Sequence, residues 1–122
     1  WFEIIATDFD RAVTFYEKVL GYAPKSMHRM EFAGGEMAMF PHEQGDSGIG
    51  GAIWKDDGKS QPSNQGTRIY LNVEGQMDAV ISRVEGAGGK IVMPRMDISP
   101  HGFIALIHDT EGNIIGLHAM KG

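Results

Sequence analysis

The chain contains no cysteine, which excludes disulfides, thiolate nucleophiles and thiolate-bound zinc and is compatible with a reducing compartment. It has no run of about 18 apolar residues, so a spanning helix is excluded. Its first residues lack the basic-then-apolar pattern of a secretory signal. Positive charge is also short: 11 Lys and Arg against 16 Asp and Glu leave a net charge of −5. The bases are scattered rather than striped, so no footprint for a phosphate backbone exists. What remains is 122 residues, 42% hydrophobic and 22% charged, enough for one domain with a real core. The expectation is a soluble, cytoplasmic protein with neither nucleic acid nor membrane as a partner.

Trp1 to Ala6 is a short run of aromatic and β-branched residues that reads as a strand, and it stops at Thr7-Asp8, a good helix N-cap. From Phe9 to Leu20, Ala12, Val13, Tyr16, Val19 and Leu20 fall on one helical face, and Gly21 suits the left-handed C-terminal position. Strands are predicted over 25–33 and 36–41, flanking Gly34-Gly35 as a two-residue hairpin turn, and over 47–54. Residues 55–66 are polar, contain Gly and Pro, and read as a linker. Beyond it come a strand over 67–74, a helix over 77–87 ended by Gly88-Gly89, and strands over 90–98, 102–108 and 113–119. The last two strands are joined by the tight turn Asp109-Thr110-Glu111-Gly112.

Each half therefore reads β-α-β-β-β, as modules 1–54 and 67–122 around the linker 55–66. Laying Phe2-Ile4-Ala6 over Ile69-Leu71-Val73 also lays Ala12-Val13 over Ala79-Val80, an offset of 67. Near the module ends Gly51-Ala52-Ile53 lies over Gly116-Leu117-His118, an offset of 65. Shared order of elements carries the repeat, since shared letters are few. Two ordinary α+β halves with the same order of elements are the alternative.

Asp8-Phe9-Asp10-Arg11-Ala12-Val13, followed by Phe15-Tyr16, Val19-Leu20 and Gly21, resembles the first strand-helix signature of the vicinal oxygen chelate superfamily. That superfamily includes glyoxalase I, extradiol dioxygenases, methylmalonyl-CoA epimerase and the bleomycin and fosfomycin resistance proteins. Asp109-Thr110-Glu111-Gly112-Asn113 resembles its D-P-x-G-N turn, with Thr in place of Pro. The resemblance implies an α+β fold: a curved, eight-stranded mixed sheet built from two βαβββ modules, helices on the convex face and a functional cleft on the concave face. It also implies, for metal-dependent members, one ligand from each of the first, fourth, fifth and eighth strands. Carried over residue by residue, those positions fall at Trp1, Gly51, Arg68 and Gly116. An indole, a guanidinium and two glycines donate no electron pair to a cation. The resemblance therefore implies a member without the usual metal centre and with no cofactor, a divalent metal being the alternative.

The histidines do not rebuild such a site. Across the 109–112 turn His108 pairs near residue 114 and His118 near 104, so about four residue steps of about 3.4 Å separate them, too far to share one ion. His28, His42 and His101 lie in or beside predicted loops, where a surface or hydrogen-bonded role is the ordinary one.

Strand alternation sorts the faces. If Phe2, Ile4 and Ala6 pack under the helix, Trp1, Glu3 and Ile5 face the cleft; Arg68, Tyr70 and Asn72 follow on the fifth strand, and Ile114, Gly116 and His118 on the eighth. A site of Glu3, Arg68, Tyr70, Asn72 and His118, with Trp1 and Trp54 as flat walls, suits a small aromatic or carboxylate-bearing ligand. Glu3 or His118 is the candidate general base. Set against these are a structural Glu3–Arg68 ion pair, a His118 that is merely hydrogen-bonded, and tryptophans engaged in packing or a dimer contact. Eight methionines, among them Met37, Met39, Met93 and Met96 on predicted strands, fit either an adaptable pocket or gap-filling in the core. The 55–66 segment is either a lid or a plain link. The reading is a protein that binds a small organic molecule, with or without acid/base chemistry, as a homodimer that protects its sheet edges. A metal-dependent lyase, isomerase or dioxygenase, with Glu3 and His118 as ligands, is one alternative; a non-catalytic sequestering module is another.

Overall fold

A computed structural model describes residues 1–41 and 48–122. His42, one of the histidines considered above, and Ser47, the first residue of the strand predicted over 47–54, lie outside the described residues. The elements are β1 (Phe2–Ile5), α1 (Phe9–Leu20), β2 (His28–Phe32), β3 (Gly35–Met39), β4 (Gly51–Lys55), β5 (Tyr70–Asn72), α2 (Met77–Val84), β6 (Lys90–Asp97), β7 (Phe103–His108) and β8 (Ile114–Ala119). This is β-α-β-β-β twice, an α+β fold. The strands of the expected sheet divide into two four-stranded mixed sheets, β1-β4-β3-β2 and β5-β8-β7-β6. In each, the first strand pairs parallel with the last strand of its module and the other neighbours run antiparallel.

α1 forms where its caps and its apolar stripe agree. Asp8 accepts a hydrogen bond from the Arg11 amide at 3.0 Å, and Gly21 takes φ 78°, a conformation glycine adopts at little cost. The buried face of Ala12, Val13, Phe15, Tyr16 and Val19 meets the sheets. Tyr16 lies edge-on to both Phe15 and Phe40, with ring centroids 5.0 and 5.7 Å away. One apolar cluster takes residues from both modules, including Ile4, Ile53, Leu71, Val80, Ile107 and Leu117, so the halves share a core. No helix among the described residues is long and apolar enough to cross a membrane.

Three local expectations change. The hairpin turn is Ala33-Gly34, at φ 50° and 81°, with Phe32 paired to Gly35. Gly35 is glycine for another reason: a Cβ there would lie 2.6 Å from the Trp54 ring. The strand expected over 67–74 shortens to Tyr70–Asn72, and the helix expected over 77–87 ends at Val84, where the chain tightens into turns such as Gly88 N to Glu85 O.

The repeat overlay also shifts. Glu3 pairs with Ala52 and Ile4 with Ile53, while Tyr70 pairs with Gly116 and Leu71 with Leu117. Ile4, Ile53, Leu71 and Leu117 are all buried in the core. The module-one counterpart of Gly116 is therefore Ala52, not Gly51. Gly51 lies under the Phe2 ring, on the helix side.

Candidate functional site

The two sheets present their edge strands β1 and β5 toward one another, and two cavities open along that seam. The larger, about 860 Å³, is lined from both modules by Trp1, Phe2, Phe40, Tyr70 and Asn72, and by Leu20 and Tyr22 at the end of α1. The smaller, about 190 Å³, holds Glu3 and is lined by Gln61, Ser63, Gln65 and Asn113 among others. The linker thus walls a groove at the seam. Ser63 N donates to Asn113 Oδ1 at 3.0 Å and pins it there.

Of the residues singled out from the sequence, Trp1, Tyr70 and Asn72 come together in the larger cavity. Glu3 is in the smaller one, and its Oε2 accepts from Trp1 Nε1 at 3.3 Å. Arg68, Trp54 and His118 line neither. Trp54 stands opposite Met37 on β3 and donates from Nε1 to Asp56 Oδ2 at 3.0 Å. Glu3 and Arg68 form no ion pair. His118 pairs with Asn72 across the β5–β8 ladder, and its Nε2 lies 2.8 Å from the His101 carbonyl oxygen. A carbonyl only accepts, so Nε2 carries the proton and Nδ1 is the ring nitrogen left to act as a base. His108 pairs with Ile114 and His118 with Ile104, which separates the two imidazoles as expected. Sequence reasoning missed Leu20, Tyr22, Phe40 and Ile49. They belong to helix ends and loops that meet β1 and β5 only in the folded chain. Tyr22, directly after the Gly21 cap, was the available signal.

The signature residues build a joint rather than a site. Asp109 Oδ2 accepts from Tyr16 Oη at 2.7 Å and from Asn113 Nδ2 at 2.9 Å, while Asn113 Nδ2 also donates to the Ile5 carbonyl at 2.8 Å. Glu111 Oε1 accepts from the Thr7 and Asp8 amides at 2.9 and 2.8 Å, and Oε2 from Arg11 Nε at 2.7 Å. The β7–β8 turn of module two is thereby fastened to the β1–α1 corner of module one. Burial and the neighbouring Asp109 carboxylate raise the Tyr16 phenol well above its usual range.

Residues 1–117 match the model of the Glyoxalase/Bleomycin resistance protein/Dioxygenase superfamily. The chain belongs to this superfamily. It is 28% identical over 121 residues to CFP32 of Mycobacterium bovis, which is named as a glyoxylase, covering 96% of this chain and 42% of that protein. The chain thus spans less than half the length of this mycobacterial relative. A glyoxylase-like domain-containing protein of Didymella fabae is 29% identical over 91% of this chain and 84% of its own length. A glyoxylase/bleomycin resistance protein/dioxygenase domain from Frankia sp. superposes with a TM-score of 0.71 at 18% identity, covering 97% of this chain and 87% of that one. That likeness speaks to the fold.

The register moves the fourth-strand position of the sequence overlay from Gly51 to Ala52, opposite Glu3, and keeps Gly116 opposite Tyr70. A Cβ at Gly116 would run into the Tyr70 ring, so a side chain of the fifth strand occupies the space over this position of the eighth. Among the described residues no three His, Asp or Glu side chains converge on a point that could hold an ion.

Proposed function

We propose that this superfamily member binds a small organic molecule at the seam between its modules without a metal ion or other cofactor. The observation that carries the reading is Tyr70 standing over Gly116, with indole, methyl and guanidinium groups at the other three ligand positions. Trp1, Tyr70 and Asn72 contact the molecule; the groups proposed to move a proton are Glu3, in the adjoining smaller cavity and bonded to Trp1, and His118, outside both cavities and paired with Asn72. The larger cavity, at about 860 Å³, lies in the range that encloses ligands of drug size. Metal analysis of protein purified without chelators, joined to thermal shifts with nickel, zinc, manganese and ferrous iron, tests the proposal. Substoichiometric metal and unchanged melting are expected. Near-stoichiometric metal with stabilisation overturns it in favour of a metal-dependent lyase, isomerase or dioxygenase.

One observation favours a variant in which the ligand is held without turnover. Glu3 already accepts from Trp1, and His118 is bonded to His101, so neither proton carrier is free of internal partners. Product formed from a bound compound and lost in both Glu3→Gln and His118→Ala would exclude that variant. A homodimer completes the proposal. Every residue of the edge strand β2 is exposed, including Met30 and Phe32, and Val92 and Met96 are exposed on the edge strand β6. Sedimentation equilibrium giving a monomer at all concentrations would remove the dimer.

A further inference from the structure

The larger seam cavity is walled mainly by apolar and aromatic side chains. Among the described residues that line it there is no Lys, Arg, His, Asp or Glu side chain. Arg68, the one cation the sequence offered for a ligand carboxylate, stands outside it. Five aromatic rings stand in its walls: Trp1, Phe2, Tyr22, Phe40 and Tyr70. Trp1, Tyr70 and Ile49 at this cavity are 64%, 46% and 80% exposed, so large apolar surface is left in water at one place. Such a patch gains free energy by covering itself with an apolar occupant. The polar groups present are neutral. Asn72 Oδ1 is taken by the Glu74 amide at 3.0 Å, which leaves the side-chain nitrogen as a donor. Tyr22 and Tyr70 supply phenols, and burial raises that of Tyr22, keeping it an O–H group. A carboxylate entering here would meet no charged side chain among the described residues that line the cavity, a heavy penalty for leaving water, whereas a neutral oxygen would find donors ready.

Resting on the proposal that the seam binds a small organic molecule, we infer that its ligand is a planar, uncharged aromatic compound carrying a hydroxyl or carbonyl oxygen, rather than a carboxylate or phosphate. Naphthol and the naphthoate of the same substitution share a ring skeleton and differ in charge at neutral pH. Both are titrated against the Trp54→Phe chain, so that Trp1 reports the binding; Trp54 lines neither seam cavity. Equilibrium dialysis with the unaltered chain repeats the comparison independently of that variant. Naphthol is expected to saturate and naphthoate to bind at least about tenfold more weakly. Ile49→Lys, at a residue too exposed to disturb folding, is expected to raise naphthoate affinity severalfold by supplying the missing counter-charge. Naphthoate binding as tightly as naphthol to the unaltered chain overturns the inference about charge and leaves binding at the seam standing. Saturation by neither compound overturns both. Naphthol binding that Tyr70→Ala leaves unchanged places the ligand elsewhere and overturns the inference.

Discussion

The Tyr16 hydroxyl donates to Asp109 Oδ2 at 2.7 Å, tying the middle of α1 to the β7–β8 turn across 93 positions of chain. Both residues are buried, so loss of the bond cannot be made good by water. Tyr16→Phe keeps the ring contacts with Phe15 and Phe40 and leaves Asp109 to Asn113 and two amides. We expect a loss of about 1–3 kcal/mol in urea unfolding with an unchanged slope. Asp109→Ala should exceed it, at about 3 kcal/mol or more, because it orphans the Glu111 and Asn113 amides along with the phenol.

Stability should fall in acid through Glu111. Burial alone would raise its pKa, but Arg11, the Asp8 and Thr7 amides and the Thr110 hydroxyl outweigh burial and hold it at about 2, below its ordinary 4.5. A carboxylate whose folded pKa is depressed stabilises the fold above the unfolded value and loses that contribution as pH falls through the folded one. The urea midpoint is therefore expected to decline from pH 4.5 toward about 2. Asp56, held low first by Ser60, and Asp97, held low first by Ser99, act in the same direction. Glu111→Gln should flatten the decline. Tyr16 sets the opposite limit: its raised pKa stabilises below the unfolded value of 10.0 and is lost as pH climbs beyond it, a sensitivity Tyr16→Phe should remove.

Where local chemistry and the fold agree, the sequence was legible. Asp8 and Gly21 cap α1 as their residue types require, and the period of Ala12, Val13, Tyr16 and Val19 named the buried face. The order of elements, repeated twice, and the D-x-x-G-N turn pointed to the architecture. Positions decided by a neighbour from another strand were not legible. Gly35 looked like a turn glycine but is required by the Trp54 ring, and Gly51 was laid over Gly116 though it lies under Phe2 on the other face. A slip of one residue reverses a strand's faces, and only the ladder register settles it. The seam was the least legible of all. Trp1, Tyr70 and Asn72 were named from alternation, but the groups that meet them, Leu20, Tyr22, Phe40 and Ile49, are brought there by the docking of two modules.

Glycines required by a neighbour should tolerate alanine far less than glycines required by φ alone. Gly102 has φ 94°, and a Cβ there would strike the Ala119 carbonyl, a backbone group that cannot swing aside. Gly75 has φ 72° with open space around it. Gly75→Ala is expected to lose about 1 kcal/mol and Gly102→Ala at least about 3, read as the difference in urea midpoints. Equal losses would show that the β6–β7 connection yields where the geometry says it cannot.

Tyr70 and Gly116 should be energetically coupled, and the coupling bears on the proposal that the seam works without a metal ion. Gly116→Ala places a methyl group against the Tyr70 ring; Tyr70 as a whole is 46% exposed and its side chain has solvent to move into, so a loss of about 1–3 kcal/mol is expected rather than unfolding. In the Tyr70→Ala background the same change should lose at least about 1 kcal/mol less, a direct measure of the clash. Gly116→Glu in that background then sets a carboxylate where the superfamily places a ligand. Trp1, Ala52 and Arg68 still donate nothing, so calorimetric titration with nickel should show no saturable binding. Tight uptake by the double variant would overturn the proposal that the other three positions are too poor in donors to hold an ion.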